Sequence, residues 1–76
     1  MSNRTYRISE IVGSSPNSID EALRNGLDRA GQTLRNLDWF EVEGIRGRLE
    51  DGHVAHIQVT MKVGFRLEDP SPGGAG

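Results

Sequence analysis

The sequence predicts a single α+β domain in the order strand, helix, strand, strand. Three observations carry this. Ser18 and Glu21 stand at capping-box spacing, just ahead of apolar residues that recur every three or four positions. From Ala55 to Leu67 apolar and polar residues alternate without a break, the period of a strand. Between the last two strand patterns lies Glu50-Asp51-Gly52, a hairpin turn in composition.

Size and composition bound what such a domain can be. The chain has 76 residues and no cysteine, which excludes disulfides and thiolate metal sites. A core this small usually needs outside support, and with only two histidines self-association is the expected source. The net charge of −2 gives no basis for binding nucleic acid through phosphates. No apolar run is long enough to span a bilayer, and Met1-Ser-Asn-Arg-Thr5 lacks the apolar region of a signal peptide. The expectation is a soluble cytoplasmic domain over residues 1–68. Residues 69–76, Asp-Pro-Ser-Pro-Gly-Gly-Ala-Gly, have nothing to bury and are expected to be disordered.

The first strand is expected from Thr5 to Val12, with Tyr6 and Ile8 on one face and Ile11-Val12 closing it. Gly13 to Asn17 reads as a turn. A Gly-Ser-Ser loop before a helix can hold a phosphate on backbone N–H groups, but the glycine and lysine spacing of a P-loop is missing, so a plain turn is expected. The helix then carries Ile19, Ala22, Leu23, Leu27, Ala30, Leu34 and Leu37 as one buried stripe. Gly26, on or beside that stripe, costs about 1 kcal/mol of helix propensity against alanine; its expected use is close approach to the sheet. The opposite face, from Asp20 to Gln32, is charged and shows no catalytic pattern.

The second strand is expected over Asp38 to Leu49 and the third over Val54 to Leu67. A three-residue loop pairs Leu49 with His53, Gly47 with Ala55 and Ile45 with Ile57, setting apolar opposite apolar, whereas a two-residue turn would place Arg46 opposite Ile57. The second strand changes phase, with Phe40 and Val42 at even positions and Ile45 and Leu49 at odd ones. A bulge near Glu43-Gly44 restores one face. Phe40 and Val42 then join Val59 and Met61 against the helix. Trp39 is left on the far face with Glu41, Arg46, Gln58, Thr60 and Lys62, where a large aromatic needs something to cover it. The crossover helix makes the first and second strands parallel, and the apolar third strand fills the gap between them, so the expected spatial order is first, third, second.

Little in the sequence favours turnover. His53 and His56 fall on opposite faces of a strand, Glu41 and Glu43 read as a charged surface, and no nicotinamide-binding glycine fingerprint is present.

Three stretches, Thr33 to Gly47 (Thr-Leu-Arg-Asn-Leu-Asp-Trp-Phe-Glu-Val-Glu-Gly-Ile-Arg-Gly), Gln58 to Leu67 and Ile11-Val-Gly-Ser-Ser-Pro16, closely resemble the dodecin family. The resemblance runs from Tyr6 to Glu68. It implies a β-α-β-β subunit whose antiparallel sheet partly wraps one helix, and a homododecameric shell that stores flavin: FMN, or riboflavin or FAD. By the same resemblance Trp39 stacks on the flavin ring, with a facing tryptophan from a symmetry-related subunit. Gln58 would hydrogen-bond the pyrimidine end, since an amide offers both donor and acceptor. Arg46 would line the pocket and Arg66 lies in the matching Gly-Phe-Arg-Leu run; both would favour phosphorylated FMN over riboflavin. Asp38 would contribute mainly backbone. Coenzyme A, held in some members by basic residues, would fall to Arg4, Arg7 and Arg35, against which ordinary surface charge is the competing account. The resemblance favours flavin sequestration without turnover; the alternatives are a purely structural shell with Trp39 as a subunit contact, and a weak flavin-dependent enzyme.

Overall fold

Four elements make up the computed structural model, which describes residues 4–68: β1 (Tyr6–Ser15), α1 (Ile19–Thr33), β2 (Leu37–Glu50) and β3 (His53–Arg66). The sheet order is β1-β3-β2, antiparallel throughout. This is the expected β-α-β-β fold with the apolar third strand in the middle. The tail expected to be disordered, 69–76, lies outside the described residues.

The helix packs on β1 and β3. Ala22, Val59, Met61 and Val63 form its buried core, the last three being alternate residues of β3 as its period requires. Phe40 and Val42 stand opposite Val63 and Met61, so their face is the expected one. They are nevertheless not covered by the helix, and Phe40 remains 45% exposed. Length explains this. The 15-residue helix spans about 22 Å, while the 14-residue strands of the hairpin run about 46 Å, and the helix lies over the opposite edge of the sheet. With Ile45 and Leu49 also exposed, β2 carries an apolar strip that none of the described residues covers.

Three boundaries differ from the sequence expectation. Gly13, Ser14 and Ser15 continue β1 rather than turn, pairing with Val59, Gln58 and Ile57. The reason is the helix crossing. Alpha carbons come so close there that a Cβ on Gly26 would sit 3.1 Å from Gly13 Cα and 3.1 Å from Met61 Cε. Secondly, the helix ends at Thr33, and Leu34 and Leu37 leave the stripe. Leu34 turns to extended backbone while its N–H still reaches Ala30 O, and Asn36 adopts a positive φ of 64°, which asparagine tolerates. Backbone pairing with β3 wins over helix continuation: Arg66 N donates to Asn36 O at 3.0 Å, and Asn36 Nδ2 returns to Arg66 O at 3.3 Å.

The third difference is the hairpin, which turns on two residues, not three. Asp51 and Gly52 both have positive φ, the signature of a type I′ turn, and Glu50 pairs with His53. A bulge between Arg48 and Leu49 leaves Ala55 without a partner. Leu49 therefore faces Val54, Gly47 faces Ile57 and Ile45 faces Val59. Apolar still meets apolar, by a different register. The expected bulge at Glu43 is present, as the ladder steps from Val42 to Gly44.

Half of the capping box forms. Ser18 Oγ accepts from Glu21 N at 3.0 Å, but the Glu21 carboxylate accepts from the Ser15 hydroxyl and from Asn17 Nδ2 instead of returning to Ser18. Buried Ser15 also accepts from Asn17 N at 2.9 Å. A carboxylate thus already occupies the helix entrance, which leaves no anion cradle in the Gly-Ser-Ser segment. These hydrogen bonds, Ser15 first and Asn17 second, hold the Glu21 carboxyl below its usual 4.5. A carboxyl whose pKa is lower folded than unfolded stabilises above its unfolded pKa, and that contribution disappears as pH falls through the folded value. The stability difference between wild type and Glu21→Gln is accordingly expected to shrink below about pH 4.5. Urea midpoints at pH 7 and pH 3 check it; an equal difference at both would contradict the assignment.

Candidate functional site

On the face of the sheet away from the helix, the register sets side chains in rows across three strands. Ile8, Gly64 and Trp39 form one row, Glu10, Lys62 and Glu41 the next, and Ser14, Gln58 and Arg46 lie further toward the hairpin. Tyr6 and Arg66 are paired beyond Gly64 at the other end.

Trp39 sits where it does for three reasons. The Asn36 turn is pinned to Arg66, three residues upstream of the indole. A second bulge, between Leu37 and Trp39, makes Asp38 the extra residue and re-aims the strand beyond it. Gly64, opposite Trp39, has no side chain. A Cβ there would strike the indole, with ring-fusion carbon Cε2 nearest and Cζ2 and Nε1 next. A fusion atom can be nearest only to something under the face of the ring. One face of the indole therefore lies on the backbone of β3, and Trp39 keeps 39% of its surface exposed.

Gly64→Ala is expected to lift the indole off the sheet. Trp39 is the only tryptophan, so red-shifted emission and stronger acrylamide quenching would report it directly. Gly44→Ala, on the same face with nothing within 4 Å of the added carbon, is the control that should leave both unchanged.

Around the indole the structure gathers Tyr6, Asp38 and Arg66. The Tyr6 ring centroid is 6.4 Å from that of Trp39 with planes inclined at 54°, and its hydroxyl donates to Asp38 Oδ2 at 2.7 Å. The Asp38 carboxylate is thus engaged by Tyr6, where the resemblance implies a role mainly for its backbone. Tyr6 is absent from the residues that sequence reasoning selects; its only sequence signal is its place in the β1 alternation, and its distance from Trp39 depends on a third strand between them.

Gln58 and Arg46 are direct cross-strand neighbours, as a shared role would need. They are not near Trp39. Gln58 lies six positions before Gly64 on β3, about 20 Å along the strand, which is longer than a flavin ring system. Arg66 lies at the Trp39 end. Among the described residues neither Arg46 nor Arg66 takes part in an ion pair, whereas Arg35 is paired with Glu68 and Arg48 with Glu50.

No three histidine, aspartate or glutamate side chains gather as a metal would require among the described residues, and no helix there is long and apolar enough to cross a membrane. A half-exposed indole on one face of the sheet and an exposed apolar strip on the other define a small β-α-β-β domain with two exposed features on opposite faces. The dodecin family model matches residues 5–68. The chain belongs to the dodecin family. It is 46% identical over 66 residues to a dodecin of Thermus thermophilus, covering 87% of this chain and 96% of that one. Among solved structures, the dodecin of Streptomyces davaonensis superposes with a TM-score of 0.86 at 65% identity, covering 90% of this chain and all of the other. That of Streptomyces coelicolor gives 0.86 at 62% identity, with 91% and 99% covered.

Proposed function

We propose that the chain is a subunit of a homododecameric flavin store that stacks FMN, or riboflavin or FAD, on Trp39 where copies meet. The observation that carries this reading is the posture of the indole, face down on Gly64 and open on the other side. A flat π-system held rigid and half-exposed suits a flat π-ligand; stacked aromatic pairs contribute about 0.5–1.5 kcal/mol beyond the area they bury. Stacked there, Trp39 donates an electron to the photoexcited ring and recovers it, so absorbed light ends as heat. No acid or base beside the indole is needed for that, which makes the chain a binding protein without turnover.

Two further features support placement of the site between copies. Trp39 and Gln58 are too far apart in one chain for one flavin ring system to stack on the first and hydrogen-bond the second, so in this reading a second copy supplies one end. The strip of Phe40, Val42, Ile45 and Leu49 is the kind of exposed apolar patch that marks association. Solved variants of the Thermus thermophilus dodecin replace a tryptophan and two arginines at the same mutual spacing as Trp39, Arg46 and Arg66.

The test is a titration of flavin-free protein with FMN and riboflavin, read by flavin emission. Strong quenching is expected, with tighter binding of FMN because Arg46 and Arg66 offer guanidinium donors to a phosphate. Unquenched emission at protein excess would leave Trp39 as an assembly contact instead.

A further inference from the structure

We propose that Tyr6 is a positioning residue for Trp39, and that the Tyr6–Asp38 hydrogen bond sets the angle at which the indole is presented. Its purpose rests on the flavin-stacking function, but its geometry does not. Three observations converge. The Tyr6 ring lies 6.4 Å from the indole at a 54° tilt, within the range of favourable edge-to-face contacts. Its hydroxyl reaches across β3 to Asp38 at 2.7 Å. Asp38 is the unpaired residue of the bulge that launches Trp39, and a bulge residue has no ladder partner to hold it. Tying its carboxylate to β1 therefore supplies the restraint that the β2–β3 ladder omits.

The arrangement has a directional logic. Gly64 supports the indole from below, and Tyr6 flanks it on the β1 side. With two sides fixed, the remaining face is the one left for a ligand. The contact between Tyr6 and Asp38 is exposed, so it adds little to global stability. Its expected effect is local order at Trp39.

Tyr6 and Trp39 are the only tyrosine and tryptophan of the chain, which makes the test direct. Near-UV circular dichroism beyond tyrosine absorption, and fluorescence anisotropy of indole emission, both report Trp39 alone in the flavin-free full chain. Tyr6→Ala is expected to flatten the indole bands and lower the anisotropy. Tyr6→Phe, which keeps the ring and drops the tether, should lie between it and wild type and match Asp38→Ala, with no further loss in the double variant. FMN binding should weaken in the same order, roughly two- to tenfold for Tyr6→Ala. Unchanged bands and anisotropy in Tyr6→Ala would overturn the proposal, as would additive losses in the Tyr6→Phe, Asp38→Ala pair. If wild type takes up no FMN, the flavin reading fails while the indole spectra still decide the positioning role.

Discussion

Trp39→Ala is expected to weaken flavin binding at least about thirtyfold, the roughly 2 kcal/mol that marks truncation of a central aromatic anchor, while leaving the assembly intact. The two halves of that expectation come from opposite faces of the sheet. In the proposed function flavin contact falls to the face bearing Trp39, Tyr6 and Gly64, and the apolar contacts between copies fall to the helix-side face, where Phe40, Val42, Ile45 and Leu49 are exposed and successive residues of β2 alternate. Equilibrium titration with FMN and size-exclusion chromatography of the same preparation read the two effects separately. Trp39→Phe keeps a smaller ring and should fall between alanine and wild type. Loss of the assembly in Trp39→Ala would shift the indole from ligand platform to subunit contact, and undiminished flavin affinity would remove stacking altogether.

How much of the fold is legible in the sequence depends on whether a feature is periodic or set by register. The period of β3 is unbroken from Ala55 to Leu67, so its buried residues, Val59, Met61 and Val63, come from alternation, and its central place from the crossover helix that makes β1 and β2 parallel. The phase change at Glu43-Gly44 is equally visible and assigns Trp39 a face. Other features leave no periodic trace. The bulge at Ala55 inserts one small residue and changes every pairing between it and Gly44, so loop length and register cannot be separated by matching apolar residues. Leu34 and Leu37 keep helical spacing although the chain has already left the helix, because both still pack against the core as partly buried residues. Asn36 stops the helix through two hydrogen bonds to Arg66, a partner 30 residues away.

The candidate site shows the same limit. A shared face groups Trp39 with Gln58 and Arg46, yet face says nothing about distance along a strand. Only the paired register, which sets Trp39 opposite Gly64, reveals that the indole and the amide stand about 20 Å apart along β3. Tyr6 escapes sequence reasoning for the converse reason: it is distant in sequence, on another strand, and adjacent in space. The uncovered side of β2 is equally hidden, since an apolar alternation announces burial without saying whose atoms do the burying. Here a second copy of the chain is the occupant that the family assignment favours.

Gly13→Ala is expected to be the most destabilising conservative change in the chain. A methyl at Gly13 would be driven into the carbonyl oxygen of Ala22 and would stand 2.9 Å from Gly26 N and 3.0 Å from Gly26 Cα. All three obstacles are helix backbone, which cannot rotate aside as a side chain would. The helix must instead move off β1, loosening its contact with Val59 and Met61, both fully buried. Overpacking a core costs about 1–3 kcal/mol, and a backbone obstacle places this variant at or above the upper end. Gly26→Ala is the informative comparison. Its methyl meets Met61 Cε, the mobile end of a flexible side chain, as well as Gly13, and alanine returns about 1 kcal/mol of helix propensity. Urea denaturation of both variants at one fixed protein concentration, as an assembling protein requires, should rank Gly13→Ala well below Gly26→Ala. A Gly13→Ala midpoint indistinguishable from wild type would mean that the helix does not cross β1 at this point and that close approach is not what carries β1 through Ser15.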